Sequence, residues 1–126
     1  MDRIIQEAFV VKIKNQEYKI LNKFLGVSST GGNTLVAAET GYKIIVLAAS
    51  ISANAEVNFN FYDGVAESAI SALKYLAAKG GFVWNFNPGG WFITGDSGSL
   101  DAYLSADVAV GVEVSYIKIP NDVELE

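Results

Sequence analysis

The residues with the clearest chemical potential form a Gly-Asp-Ser-Gly tetrad at positions 95–98. A serine in this setting can attack a carbonyl carbon when a histidine takes its proton and an oxyanion hole stabilises the developing charge. The chain contains no histidine, and nothing in the sequence places a lysine beside Ser97 as a substitute base. We therefore predict that the tetrad is a polar turn and that the chain is not an enzyme.

Metal and cofactor sites are equally unsupported by the sequence. The chain has no cysteine and no histidine, which excludes thiolate and imidazole ligands. Residues 26–33 are rich in Gly, Ser and Thr, but no lysine follows them as a phosphate-binding loop requires, so we interpret them as a flexible link. We expect no cofactor, and we interpret the acidic residues of the turns as solvated rather than as a calcium site or a glycosidase pair; these are Asp63, Glu67, Asp96, Asp101 and Asp107.

A group of aromatic residues surrounds the turn at 87–90. Phe82, Trp84 and Phe86 alternate along one predicted strand, and core filling is the simplest interpretation of that face. Trp91 and Phe92 follow the turn and are candidates for an exposed aromatic surface. Such a surface can stack on a sugar ring or anchor a protein interface.

Length and charge narrow the class of protein. The chain has 126 residues, 51% of them hydrophobic, and a net charge of −5, which together indicate one globular domain. Nucleic-acid binders carry a basic stripe, so we expect no nucleic acid as partner. No apolar run approaches the ~18 residues of a membrane span, and the first residues lack the layout of a signal peptide. We expect a soluble protein that is made in a cytoplasm and has no membrane partner.

The pattern of apolar residues predicts an all-β chain. Strand-like runs alternate with turn clusters, among them Asp63-Gly64, and this spacing is typical of a β-sandwich or jelly roll. Residues 67–79 favour helix by composition, but strands flank them, and we predict strand and loop. We divide the chain into an N-terminal arm (1–25), an antiparallel, jelly-roll-like β-sandwich body (26–119) and a short acidic tail (120–126).

The predicted arm contains its own strand at residues 9–14. Phe9, Val11 and Ile13 lie on one face of it, and a second short strand at 18–21 pairs with it across Asn15-Gln16 as a hairpin. Two interpretations stay open. The three apolar residues either bind another protein or complete the sheet of the body.

Two strands of the body are apolar on both faces. The second face carries Ile45 and Leu47 on one strand and Ile117 and Ile119 on the other. An antiparallel sheet normally shows polar residues on its solvated face. Either these strands are buried within the domain, or the four residues form a subunit interface.

Residues 33–119 resemble small virion proteins of tailed phages. The family pairs an opening "NTLVAA…GKKIRVL" with a later "NGG…FNPxGWF…LSAAVAVGG". The matching runs here are Asn33–Ala38, Gly41–Leu47, Gly80–Phe82, Phe86–Phe92 and Leu104–Gly111.

The resemblance implies a β-sandwich that assembles on a virion, often as a trimer. From it we expect a capsid decoration or cement protein, a homotrimer on the capsid surface that stabilises the head by multivalent binding to major capsid subunits. The apolar second faces form the subunit interface, and Phe9, Val11 and Ile13 of the arm bind a neighbouring capsid subunit by strand addition. The rival is a receptor- or carbohydrate-binding module of a phage tail or fibre, with Trp91 and its neighbours as the stacking surface.

Overall fold

A computed structural model describes residues 10–123, and every regular element in that range is a β-strand. The all-β prediction is therefore confirmed. The predicted hairpin uses Lys14-Asn15 as its turn, one residue earlier than expected. The strands are β1 (Val10–Ile13), β2 (Gln16–Lys19), β3 (Leu21–Val27), β4 (Gly31–Val36), β5 (Tyr42–Ala53), β6 (Val57–Asp63), β7 (Ser68–Ala69), β8 (Lys74–Leu76), β9 (Gly81–Trp84), β10 (Phe92–Ile93), β11 (Leu100–Leu104) and β12 (Val110–Pro120).

Two five-stranded antiparallel sheets pack face to face as a β-sandwich. In the first sheet the order is β10-β5-β12-β3, and β9 also pairs with β5. In the second sheet the order is β4-β11-β6-β7, and β8 also pairs with β6. The hairpin β1–β2 forms a separate two-stranded sheet. The antiparallel sandwich is thus confirmed, while the jelly-roll connection pattern stays a prediction.

The main core lies between the two sheets and follows the period of two along each strand. Alternate residues of β6 and β11 point inward, and Phe59, Phe61 and Leu104 are fully buried. Burying one side chain of this size contributes about 1.5–3 kcal/mol. The ring of Phe61 also contacts Trp84 and Phe92, with ring centroids 5.3 and 5.5 Å away.

The segment at 67–79 is strand and loop, as predicted. It supplies the short strands β7 and β8, which both pair with β6. Helix propensity is overridden here because β6 offers an open edge, and tertiary pairing outweighs a weak local preference.

The expected flexible link at 26–33 is wrong, because strands occupy most of it. β3 continues to Val27 and pairs with β12 over seven consecutive residues, and β4 begins at Gly31 and pairs with β11. These ladders supply partners for backbone groups that a loop would leave to solvent. Residues 21–25, which we assigned to the arm, belong to β3 and hence to the first sheet.

Candidate functional site

The N-terminal hairpin is a distinct unit attached to the body by one residue. β1 and β2 pair from Val10 with Lys19 to Ile13 with Gln16. The turn residues Lys14 and Asn15 have φ of 50° and 67°, and positive φ at both central residues characterises a type I′ turn. Ile20 alone separates β2 from β3.

The hairpin covers the second apolar face of the first sheet. Val11 lies against a compact set of side chains from β5 and β12, and Ile13 and Tyr18 pack beside it. We call Val11 and these body side chains the hairpin cluster. Each of its body residues is at most 4% exposed. Those body residues are Ile45, Leu47, Ile117 and Ile119.

The hairpin cluster joins two groups of residues that we predicted to contact different proteins. The four body residues were expected to form a subunit interface, and instead the hairpin of the same chain buries them. Val11 and Ile13 of the expected capsid-binding strand form that cover, while Phe9 lies outside the described residues. A subunit contact through these four residues therefore requires the hairpin to move away.

A β-bulge changes which residues of β5 face the main core. Ser115 pairs with Ala48 and Tyr116 pairs with Val46, so Leu47 is an extra residue in β5. Ile45 and Leu47 face the hairpin cluster, and the core-facing residues shift from even positions before the bulge to odd positions after it; these are Ile44, Val46, Ala49, Ile51 and Ala53. The carbonyl oxygen of Leu47 accepts a hydrogen bond from Asn87 N at 2.8 Å. Sequence periodicity does not reveal a bulge of this kind.

The aromatic pair at 91 and 92 divides between surface and core. Phe92 packs on Trp84 with a centroid distance of 5.6 Å and joins the main core, so it differs from the expected exposed position. Trp91 is 45% exposed, and its Nε1–H donates to Asn85 O at 2.7 Å. Of the two residues expected to form an exposed aromatic surface, only Trp91 is exposed.

Sequence reasoning missed Phe24, which is 79% exposed on the outer face of the first sheet. It lies on β3 opposite Glu113 of β12. We did not predict this position from the sequence, because we assigned residues 21–25 to the arm, outside the sandwich.

The Gly-Asp-Ser-Gly tetrad wraps around the buried carboxylate of Asp63. Gly95 N–H donates to Asp63 Oδ2 at 2.7 Å, and a Cβ on Gly98 would collide with the same carboxylate. Ser97 Oγ accepts hydrogen bonds from Gly41 N at 3.0 Å and Asn121 Nδ2 at 3.2 Å. These contacts make the tetrad a turn that is fixed to three other parts of the fold, at Asp63, Gly41 and Asn121.

Residues 10–123 contain no group of three or more acidic side chains placed to hold a metal ion. Over the same range, no helix is long and apolar enough to cross a membrane.

Comparisons with known proteins include a distant structural likeness. No family model matches the chain, and no curated protein matches it. A solved structure described as "Bacillus endospore appendages form a novel family of disulfide-linked pili" is similar to 86% of this chain and 94% of its own, with 12% sequence identity and a TM-score of 0.44. A likeness at this level carries no argument about function.

Proposed function

We propose that the chain is a non-catalytic structural subunit of a tailed-phage virion, a capsid decoration protein that stabilises the head by multivalent binding to major capsid subunits. Its support is the resemblance over residues 33–119 together with one feature of the fold. That feature is a hairpin with its own hydrogen bonds, joined by a single residue and held to the body by side chains.

The hairpin is suited to connecting subunits because its attachment does not depend on the sheets of the sandwich. An isolated two-stranded hairpin is marginally stable in water, so Val11, Ile13 and Tyr18 need an apolar surface to pack on. The same surface exists on every copy of the chain, and exchanging an identical element between copies replaces each lost contact with an equal one. A short hinge such as Ile20 favours that exchange.

In this proposal the body forms a homotrimer on the capsid surface, and the hairpin contacts a neighbouring copy or a major capsid subunit. Each contact can be weak, because several hairpins on one trimer raise the effective affinity. The protein is made in the host cytoplasm and then bound to the head.

The test compares two aspartate substitutions on adjacent residues of β1. Val11 is buried and Lys12 is exposed, so Val11→Asp places a carboxylate in an apolar contact at a cost of several kcal/mol, whereas Lys12→Asp changes only the surface. Purified variants are added to capsids assembled without the protein. We expect Val11→Asp to lose at least tenfold in occupancy and Lys12→Asp to bind as the natural chain does.

Two further measurements keep this test interpretable. The near-ultraviolet circular dichroism of Trp84, which lies in the main core, reports whether the Val11→Asp body stays folded. Light scattering after size exclusion is expected to give three chains per particle. A folded Val11→Asp protein at full capsid occupancy contradicts the role of the hairpin, and a monodisperse monomer at micromolar concentration contradicts the trimer.

A second candidate function is a receptor- or carbohydrate-binding module of a tail or fibre. The observation that favours it is the exposed ring of Trp91, held in one orientation by its bond to Asn85 O. Copy number separates the two candidates, because a decoration protein is present stoichiometrically with the major capsid protein and a fibre module in few copies per virion.

A further inference from the structure

The hairpin covers only part of the outer face of the first sheet. Beyond the hairpin cluster, the rest of that face forms an open groove across β3, β12, β5 and β9, with a cavity volume of about 370 Å³. One cross-strand row passes through its middle, formed by Phe24, Glu113, Ser50 and Val83 in that order.

The floor of the groove carries short polar side chains with unused hydrogen-bonding atoms. Ser115 Oγ donates to Asn22 Oδ1 at 2.6 Å, and Ser50 Oγ lies 3.4 Å from Glu113 Oε1. Among the residues that the structure describes, the amide nitrogen of Asn22, the side-chain amide of Asn85 and Oε2 of Glu113 have no partner. The floor thus offers donors and acceptors at several points.

The two sides of the groove are apolar and exposed. Phe24 stands on β3 at one side, and Val83 and Phe86 stand at or just after β9 on the other. Three strand spacings separate the two sides, roughly 14 Å at ~4.8 Å each. Apolar walls above a polar floor complement a ligand that has both CH faces and hydroxyl groups.

We propose that this groove binds a neutral oligosaccharide. The sheet ladders use the backbone N–H and C=O groups of the central strands β12 and β5 on both sides. β3 and β9 are edge strands, and their free backbone groups point sideways from the sheet. An extended peptide gains its affinity from such groups at a sheet edge and would find none that point onto this face. Sugar hydroxyls need only the side-chain amides, hydroxyls and carboxylate of the floor.

Charge supports a neutral ligand rather than an ionic one. The groove is lined by one cation, Lys23, and one anion, Glu113, so their formal charges cancel. The inference does not rest on where in a virion the chain sits, and it concerns a different surface from Trp91.

The experiment titrates the full chain with neutral hexasaccharides of glucose (α- and β-linked), mannose, galactose and N-acetylglucosamine, followed by calorimetry and amide chemical shifts. We expect saturable binding to at least one of them, with shifts concentrated at Asn22, Ser50 and Asn85. Phe24→Ala should weaken binding at least tenfold. The matched control is Tyr75→Ala, which removes an equally exposed ring from the second sheet and should leave binding unchanged.

Four outcomes overturn the proposal. The first is no saturable binding to any member of the panel. The second is binding that Trp91→Ala abolishes and Phe24→Ala spares, which places the sugar on the other aromatic surface. The third is binding that depends strongly on salt and is abolished by Glu113→Gln, which indicates a cationic ligand. The fourth is a sugar-free oligomer that Phe24→Ala dissociates, which makes the groove a contact between copies. Each is separable from capsid binding, which the Val11→Asp variant tests.

Discussion

Asp63 and Gly95 lie 32 residues apart in the chain and are joined by a 2.7 Å hydrogen bond from the glycine N–H to the carboxylate Oδ2. The other oxygen, Oδ1, accepts from Val65 N at 3.0 Å and Ala66 N at 3.1 Å. One buried carboxylate therefore holds the turn after β6 and the turn before β11 together.

Removing this carboxylate should destabilise the fold. Asp63→Ala removes the acceptor of three partly buried hydrogen bonds, and the loss of each costs about 0.5–1.5 kcal/mol. We expect the free energy of unfolding in urea to fall by about 3 kcal/mol or more. Asp96→Ala, an exposed carboxylate in the same tetrad, is the control and should change it by less than about 0.5 kcal/mol. Equal effects at the two positions would contradict the role of Asp63 in holding the two turns together.

Ser97 should be chemically inert. Both of its acceptor positions are occupied by Gly41 N–H and Asn121 Nδ2, and the chain has no histidine to take its proton. Incubation with a fluorophosphonate probe should give no labelling by mass spectrometry. Stoichiometric labelling that Ser97→Ala abolishes would show that the site is a nucleophile after all.

Substitutions in the hairpin turn should stabilise the hairpin. Lys14 has φ of 50°, and left-handed backbone costs a residue with a Cβ about 1–2 kcal/mol. Asn-Gly is the preferred pair for a type I′ turn, so the double change Lys14→Asn with Asn15→Gly should stabilise the hairpin by about 1 kcal/mol. The stabilisation is measured as slower amide hydrogen exchange at Val11 and Tyr18. Lys12→Asn, in the middle of β1, should give no such slowing.

Asp107 joins the loop between β11 and β12 to the loop between β3 and β4, and we expect its contribution to stability to depend on pH. Its Oδ1 accepts from Thr30 Oγ1 and from Thr30 N, both at 2.7 Å, and these bonds hold the pKa of the Asp107 carboxyl below its ordinary value of 3.8. A carboxyl whose pKa is lowered on folding stabilises the fold above its unfolded pKa and loses that effect as pH falls through the folded value. Asp107→Asn should therefore be less stable than the natural chain at pH 7, and the difference should shrink below pH ~4. Urea unfolding from pH 7 to 2.5 measures it, and a constant difference would rule out this linkage.

Periodicity and turn chemistry were enough to predict much of the fold. The bounds of β5 and β11 agree with the runs at Tyr42–Ala53 and Leu100–Leu104, because alternating or continuous apolar residues specify strands directly. β3 and the first half of β4 could not be predicted in the same way. Their Gly and Asn residues favour a loop locally, and only the ladders to β12 and β11 make them strands.

The candidate site was predicted in its parts but not in its arrangement. The sequence identifies Val11 and Ile13 as one apolar face and Ile45, Leu47, Ile117 and Ile119 as another. Nothing in the pattern says that the first covers the second, because that depends on the one-residue connection at Ile20, which places the hairpin beside the first sheet. Phe92 was misplaced for a similar reason, since its burial depends on the rings of Phe61 and Trp84 from other strands.

The open end of the hairpin has a mechanical consequence. Val10 and Lys19 are paired neighbours at that end, so a pull between the N-terminus and the body separates β1 from β2 one hydrogen bond at a time, like a zipper. The ten residues of Val10–Lys19 then extend by about 35 Å while the longer ladders of the sandwich stay paired. We expect the hairpin to open at a lower force than the two sheets, because only four residue pairs and the packing of its side chains hold it closed, and to close again when the load is removed.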